Sequence, residues 1–271
     1  MNSYFNWLTS FFKIITHSMK NVDELIKEFQ ELKLEEYPIN RIKDLILDIG
    51  KIGTIINTLH EGKIVYRARL TNENEVFSKC SDLSFVPRNR NTKYQRASTP
   101  NNTMFYGSIL PELINAGELS EVRIVGAFEC VPFLRNTLLD GEQKITYGKW
   151  IVTKDIPLLA IVHHADFKNK SEYVREMNDG FDAFISKYPE MAERTTKIVG
   201  FLASEFAKKS TDNDYNYLIS SLFSERMIEK GLAGVLYPSV RTDGDGFNVA
   251  IHPEFVKTSM KLSAVGVCTV Y

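Results

Sequence analysis

The chain has 271 residues, of which 44% are hydrophobic and 25% charged, and its net charge is −1. This composition is typical of a globular protein and excludes a disordered or low-complexity one. A chain with almost no net charge lacks the overall field that holds nucleic acid, so we expect no direct nucleic-acid binding. The three cysteines, Cys80, Cys130 and Cys268, have no zinc-site spacing and indicate reduced thiols in a cytoplasmic protein.

The first 61 residues predict an N-terminal helical extension. Residues 1–20 carry apolar side chains interrupted by polar ones, which favours an amphipathic helix over a signal peptide or a membrane span. Asn21 is a candidate cap of a second helix, and Pro38 opens a third, whose apolar stripe runs on to Ile55 and Ile56. The extension is a candidate for partner docking or for homo-oligomer formation, with plain core packing as the alternative.

From residue 62 onward the pattern changes to short strands and later helices. Helical patterns cover 171–208 and 213–231, and apolar or alternating stretches predict strands at 63–70, 104–109, 122–131, 146–152, 158–164, 234–237, 247–251 and 259–271. The order lacks regular strand–helix alternation, so we expect an α+β fold with a mixed or mostly antiparallel sheet. Residues 62–271 form the expected main domain, with a helical insertion at about 165–230.

Several polar residues sit where a pocket could form. Arg67 and Arg69 lie on one side of the first strand, where a diphosphate or carboxylates would satisfy them, and surface ion pairs are the alternative. Arg96 lies in a loop before the strand that carries Tyr106, an aromatic residue suited to stacking on a heterocycle or simply to the core. Ser239 ends a strand beside the glycine-rich turn at 242–246.

Acidic and histidine residues give weaker signals. Glu118 and Glu121 precede a predicted strand, and taken alone they are ordinary solvated carboxylates. His163 and His164 end another predicted strand without further ligands nearby, so we predict no metal site.

The segments "VYRARL", "QRASTPNNTMFYGS", "ELSEVRI" and "GVLYPSVRTDGDGFNVAI", in this order, resemble the RES domain family. That family is named for an arginine, a glutamate and a serine. The resemblance runs from about residue 63 to residue 253, and it implies a fold like that of ADP-ribosyltransferases. It also implies that NAD+ is consumed as a substrate, with no prosthetic group.

The resemblance assigns roles residue by residue. The first-strand arginine falls on Arg67, with Arg69 beside it, and the loop arginine falls on Arg96. The tyrosine falls on Tyr106 and the serine on Ser239. The remaining two positions are the asparagine of the closing strand, Asn248, and the glutamate, for which Glu121 is the first choice and Glu118 its rival.

The resemblance leads to an expected activity and to two alternatives. The expected activity is cleavage of the nicotinamide–ribose bond of NAD+, by water or by phosphate, in the toxin of a bacterial toxin–antitoxin pair. The expected partner is an antitoxin with a helix-turn-helix. One alternative is a protein mono-ADP-ribosyltransferase. The other is a non-catalytic binding module with a degenerate pocket.

Overall fold

The computed structural model describes residues 20–73, 75–109, 122–135, 141–209 and 213–271. The helices are α1 Val22–Gln30, α2 Ile39–Asp48, α3 Val122–Cys130, α4 Glu172–Ile185, α5 Pro189–Ala207, α6 Leu218–Glu229 and α7 Pro253–Ser259. The strands are β1 Ile55–Leu59, β2 Ile64–Thr71, β3 Phe105–Ile109, β4 Gln143–Val152, β5 Ile156–Ala160, β6 Gly234–Pro238, β7 Phe247–Ile251 and β8 Met260–Val270.

The strands form one eight-stranded sheet in the order β1-β5-β6-β7-β3-β2-β4-β8. Every neighbouring pair is antiparallel except β5 and β6, which run parallel. The predicted α+β class with a mixed, mostly antiparallel sheet is therefore confirmed. The finer likeness to ADP-ribosyltransferases stays an expectation of the resemblance.

Helices cover both faces of the sheet. On the first face, α1, α2, α5 and α6 share an apolar core with sheet residues such as Val235 and Ala250. On the second face, α4 and α7 pack against alternate residues of the same strands, such as Leu236 and Val249. The N-terminal helices thus share a core with the sheet, whereas the division at residue 61 stays a prediction.

Two predicted elements are wrong. The apolar stripe that begins after Pro38 does not stay helical to Ile56, because Gly50 adopts a positive φ of 72° and ends the run, and β1 follows at Ile55–Leu59. The segment 122–131, predicted as a strand, is helix α3. Its buried Val122, Val125 and Gly126 recur at helical spacing, which the β-branched composition obscured.

Three further observations bear on the sequence predictions. The Asn21 side chain accepts hydrogen bonds from the amides of Asp23 and Glu24, at 2.8 and 3.4 Å, so the predicted cap of α1 is confirmed. The predicted helix over the first twenty residues lies almost wholly outside the described residues. Among the helices that are described, none is long and apolar enough to cross a membrane.

Candidate active site

A cleft of about 490 Å³ opens on the first face of the sheet, between helix α3 and the loop around Arg96. Its volume falls in the range of small-molecule sites. The floor comes from the central strands, whose alternation brings Tyr106 and Ser108 of β3, Asn248 of β7 and Tyr237 of β6 to the same side. The cleft therefore lies over the middle of the sheet.

A carboxylate held by two neutral donors lies at one end of the cleft. Glu129, in the last turn of α3, accepts a hydrogen bond from the Ser239 hydroxyl and another from the Asn248 side-chain amide, each at 2.7 Å and both on Oε1. Asn248 is itself oriented by the Ser108 hydroxyl, which donates to its Oδ1 at 3.1 Å. Ser239 is fully buried, whereas Glu129 is half-buried and lines the cleft. Among the described residues only these two donors bond the Glu129 carboxylate, so its second oxygen is available to a ligand in the cleft.

Two glycines explain how α3 comes close enough to bring Glu129 to the sheet. A Cβ on Gly126 would lie 2.9 Å from the Ala68 Cβ of β2. A Cβ on Gly246, in the turn after Ser239, would lie 2.3 Å from Cγ2 of Val125. Larger residues at either position would hold the helix away from the strand or from the turn.

Arg67 occupies the gap between two strands that separate. Strands β2 and β3 share a single registered pair, Tyr66 opposite Ser108. The Arg67 guanidinium lies over the Phe105 ring and donates to the Tyr106 carbonyl at 2.7 Å. Its Nε is buried without a hydrogen-bond partner among the described residues. Burial lowers the pKa of this guanidinium to about 10, so the protein holds a poorly solvated positive charge at the cleft wall.

Arg69 does not reach the cleft. It is exposed and donates to the Asp82 carbonyl at 2.7 Å and to the Glu75 carboxylate at 3.0 Å, with its guanidinium over the Phe77 ring. The two arginines therefore diverge from one strand face, and only Arg67 lines the cavity.

Arg96 and Tyr106 both line the cleft, and both are tied to protein groups. The Arg96 guanidinium donates to the carbonyls of Phe206 and Lys208 at the C-terminus of α5 and lies over the rings of Tyr217 and Tyr237. The Tyr106 hydroxyl accepts from the Ala97 amide at 3.1 Å and bonds the Ser98 hydroxyl at 2.8 Å. Burial raises the pKa of Tyr106 to about 12.

The cleft contains a further aromatic ring besides that of Tyr106. Tyr106 fixes the loop that carries Arg96, and Arg96 in turn joins that loop to α5 and to two tyrosine rings. Tyr217, in the short 3-10 turn before α6, also lines the cleft and has no counterpart among the sequence predictions. It is a second aromatic surface that a base could stack on.

The turn that follows β6 is a closed hairpin connection. The Ser239 amide donates to the Gly246 carbonyl at 2.7 Å, and the Gly244 amide donates to the Ser239 carbonyl at 2.9 Å. Lys170 pairs with Asp243 at 2.6 Å on its outer side. The turn thus fixes Ser239 and places Arg241 on the cleft wall.

The predicted glutamates, Glu121 and Glu118, lie outside the described residues, so their placement is not tested. Glu129 was missed because its segment was interpreted as a strand. As a helix, the same segment places Glu129 on the buried face, seven residues after Val122 and three after Gly126. A single carboxylate on the apolar face of a helix is the signal that could have found it.

No cluster of three metal-binding side chains occurs in the described part of the chain. His163 bonds the Asn178 side chain at 2.8 Å through Nδ1 and packs its ring on Phe181, and burial lowers its pKa. It is a core residue under the sheet and takes no part in the cleft.

Fold and cleft together define an α+β protein with an arginine-lined pocket around one oriented carboxylate. The RES domain family model matches residues 160–264 of this chain, which confirms the resemblance to that family. At the level of the family, the match supports an NAD-related domain of the toxin–antitoxin type. No curated protein and no solved structure gave a match.

Proposed function

We propose that this protein cleaves the nicotinamide–ribose bond of NAD+. The observation that carries the proposal is the Glu129 carboxylate, fixed on one oxygen by Ser239 and Asn248 and presented to a cleft with a buried arginine. NAD+ is the substrate in this proposal, and no bound cofactor takes part.

The chemistry requires a fixed negative charge near the ribose. When the bond between C1′ and the pyridinium nitrogen breaks, its electron pair goes to nicotinamide and positive charge develops on the ribose. A carboxylate already oriented at that position stabilises the charge without reorganising. An oxygen of water or phosphate then forms the new bond to C1′ and releases a proton to solvent.

The other cleft residues fit the remaining parts of the substrate. Arg67, on the cleft wall, offers its positive charge to the diphosphate. Tyr217 and Tyr237, kept in place by Arg96, supply an aromatic wall for a base. Arg69 is left out of this assignment because its guanidinium is bound to Asp82 and Glu75 outside the cleft.

The test measures free nicotinamide after purified protein is incubated with NAD+, with and without phosphate. The wild type should release nicotinamide, and Glu129→Gln should be slower by about 10²–10³-fold, because it loses one oriented charge. Glu121→Gln and Glu118→Gln should stay active. Absence of release by the wild type in both buffers would overturn the proposal.

Glu225→Gln is the matched control. Glu225 also lies on a helix and also accepts from a hydroxyl and an amide on one oxygen, those of Thr99 and Asn102, at 2.9 and 3.2 Å. It does not line the cleft, so it tests whether loss of such a hydrogen-bonded carboxylate alone removes activity. Equal losses in the Glu225 and Glu129 variants would contradict the catalytic role of Glu129.

We further propose that the activity is that of a cytoplasmic toxin held by a helix-turn-helix antitoxin. Expression of the wild type in bacteria should deplete NAD+ and stop growth, and Glu129→Gln should do neither. A lysate incubated with NAD+ labelled in the adenylate part separates the acceptors. Label on a polypeptide would indicate ADP-ribosyl transfer, and label only in small molecules supports cleavage by water or phosphate.

A further inference from the structure

The two edges of the sheet differ in length and protection. One edge is β1, which has five residues, and the other is β8, which has eleven. Strand β8 pairs with β4 on its inner side, and no described residue pairs with its outer side. A short edge strand is a common protection against pairing with another chain, whereas a long one presents a row of free backbone donors and acceptors.

Apart from Lys261 near its start and a register shift opposite Lys149 and Trp150, β8 lacks the other protections of edge strands. From Leu262 to Tyr271 it carries no lysine, arginine, aspartate, glutamate or proline. Val265 and Val267 are 53% and 60% exposed, although valine in strands favours packing against a neighbour. A Cβ placed on Gly266 would meet no atom within 4 Å, so the sheet face at this position is open as well.

We propose that β8 pairs with β8 of a second copy of this chain, antiparallel about a two-fold axis, joining two eight-stranded sheets into one. An isologous contact places the same segment on both sides. An uncharged strand meets this condition because no like charges come opposite each other. The proposal does not rest on the proposed enzymatic function.

The length of β8 sets the strength of the contact. Eleven extended residues span about 37 Å, at ~3.4 Å per residue. A single strand edge of that length buries less than the ~800 Å² per partner of a standard stable interface. The dimer should therefore be in concentration-dependent equilibrium, with a dissociation constant in the micromolar range.

The experiment is sedimentation equilibrium over a protein concentration range that brackets the micromolar. Val265 and Val267 lie on one face of the strand, opposite Gly148 and Thr146 of β4. The double variant Val265→Lys, Val267→Lys would bring four like charges together at the axis and should weaken dimerisation at least about tenfold. Ile56→Lys, an exposed apolar position on the other edge strand, is the matched control and should dimerise like the wild type.

Three results would show that the chain does not dimerise through β8. A wild type that stays monomeric, a double variant that dimerises fully, or an Ile56→Lys variant that alone is monomeric would each overturn the proposal. Cysteine crosslinking covers the case of a double variant that does not fold. In a Cys268→Ser background, cysteines placed singly at 264–267 should form an interchain disulfide, and Ile56→Cys should not. No crosslink from β8 at concentrations where the protein dimerises would count against the pairing.

Discussion

Replacing Arg67 with methionine should impair the positioning of NAD+ while it leaves the free energy of unfolding almost unchanged. The Arg67 side chain is half-buried, and burial of its guanidinium lowers the pKa to about 10. At neutral pH this corresponds to ~3 kcal/mol unfavourable to the folded, charged state. The variant also loses the bond to the Tyr106 carbonyl, which contributes ~1.5–3 kcal/mol as a hydrogen bond from a charged donor. The two changes nearly cancel.

We therefore expect Arg67→Met to unfold in urea with a free energy within ~1 kcal/mol of the wild type. The methionine side chain has a similar length and packs well against the Phe105 ring. Nicotinamide release from NAD+ should nevertheless fall by about 10²-fold or more, since the substrate loses its positioning charge. Urea unfolding and nicotinamide release together show whether Arg67 contributes to stability or to substrate binding.

Arg194→Met is the matched comparison. Arg194 is also half-buried, and its three guanidinium nitrogens donate to the carbonyls of Ile49, Lys20 and Asp48, at 2.9, 2.8 and 2.5 Å. Loss of three such bonds at the ends of two helices should cost ~3 kcal/mol or more of stability. The reasoning is refuted if Arg67→Met is destabilised as much as Arg194→Met, or if it is stable and keeps full activity.

Three further predictions follow from the same contacts. Gly126→Ala should displace α3 from Ala68, which should lower the free energy of unfolding by ~1–3 kcal/mol and also reduce nicotinamide release. Gly200→Ala is the control, because the space at its Cβ is open, and it should not destabilise the protein in urea titrations. Ser239→Ala removes one charge-assisted bond to Glu129 and should slow nicotinamide release by ~10- to 100-fold while Asn248 still holds the carboxylate. Burial lowers the pKa of His163 below 6.5, so as the pH falls the unfolded chain takes up a proton before the folded protein does. The free energy of unfolding should therefore decrease as the pH drops through 6.5. The urea midpoint should change less between neutral pH and about pH 5.5 in His163→Gln than in the exposed control His60→Gln.

The strands of the sheet were largely predictable from the sequence. β2, β3, β4, β6 and β7 coincide with apolar or alternating stretches of the sequence that lie between polar turns. Local composition therefore agreed with the tertiary environment. The pairing order was not predictable, because it places β1 beside β5 and β8 beside β4 through contacts between distant parts of the chain.

Helix α3 shows where local preference is overridden. Its residues Val122, Ile124 and Val125 favour a strand, and Ile124 remains 39% exposed in the helix. The helix is favoured by the apolar face that Val122, Val125 and Gly126 bury against β2 and the turn after β6. That information lies in Ala68 and Gly246, which are far away in the sequence.

The same reasoning explains the mixed outcome for the site. Arg67, Arg96, Tyr106 and Asn248 line the cleft, and Ser239 bonds the Glu129 carboxylate, whereas the roles that the resemblance implies for them stay predictions. Their contacts were beyond prediction, since Tyr106 and Arg96 bind loop and helix groups that only tertiary packing brings near. Glu129 could be recognised only once its segment was known to be helical, because in a strand its side chain would lie on the face opposite Val122 and Gly126.

The extent of the family match has a structural consequence. Residues 160–264 contain β6, β7 and the first part of β8, yet β3, β2 and β4 lie between β7 and β8 in the sheet. The matched segment therefore cannot form a continuous sheet by itself. It supplies Ser239 and Asn248, while Glu129 and Arg67 come from residues before it. Because the carboxylate and its two donors come from opposite sides of this boundary, the unit that could perform the chemistry must include the strands from β2 onward.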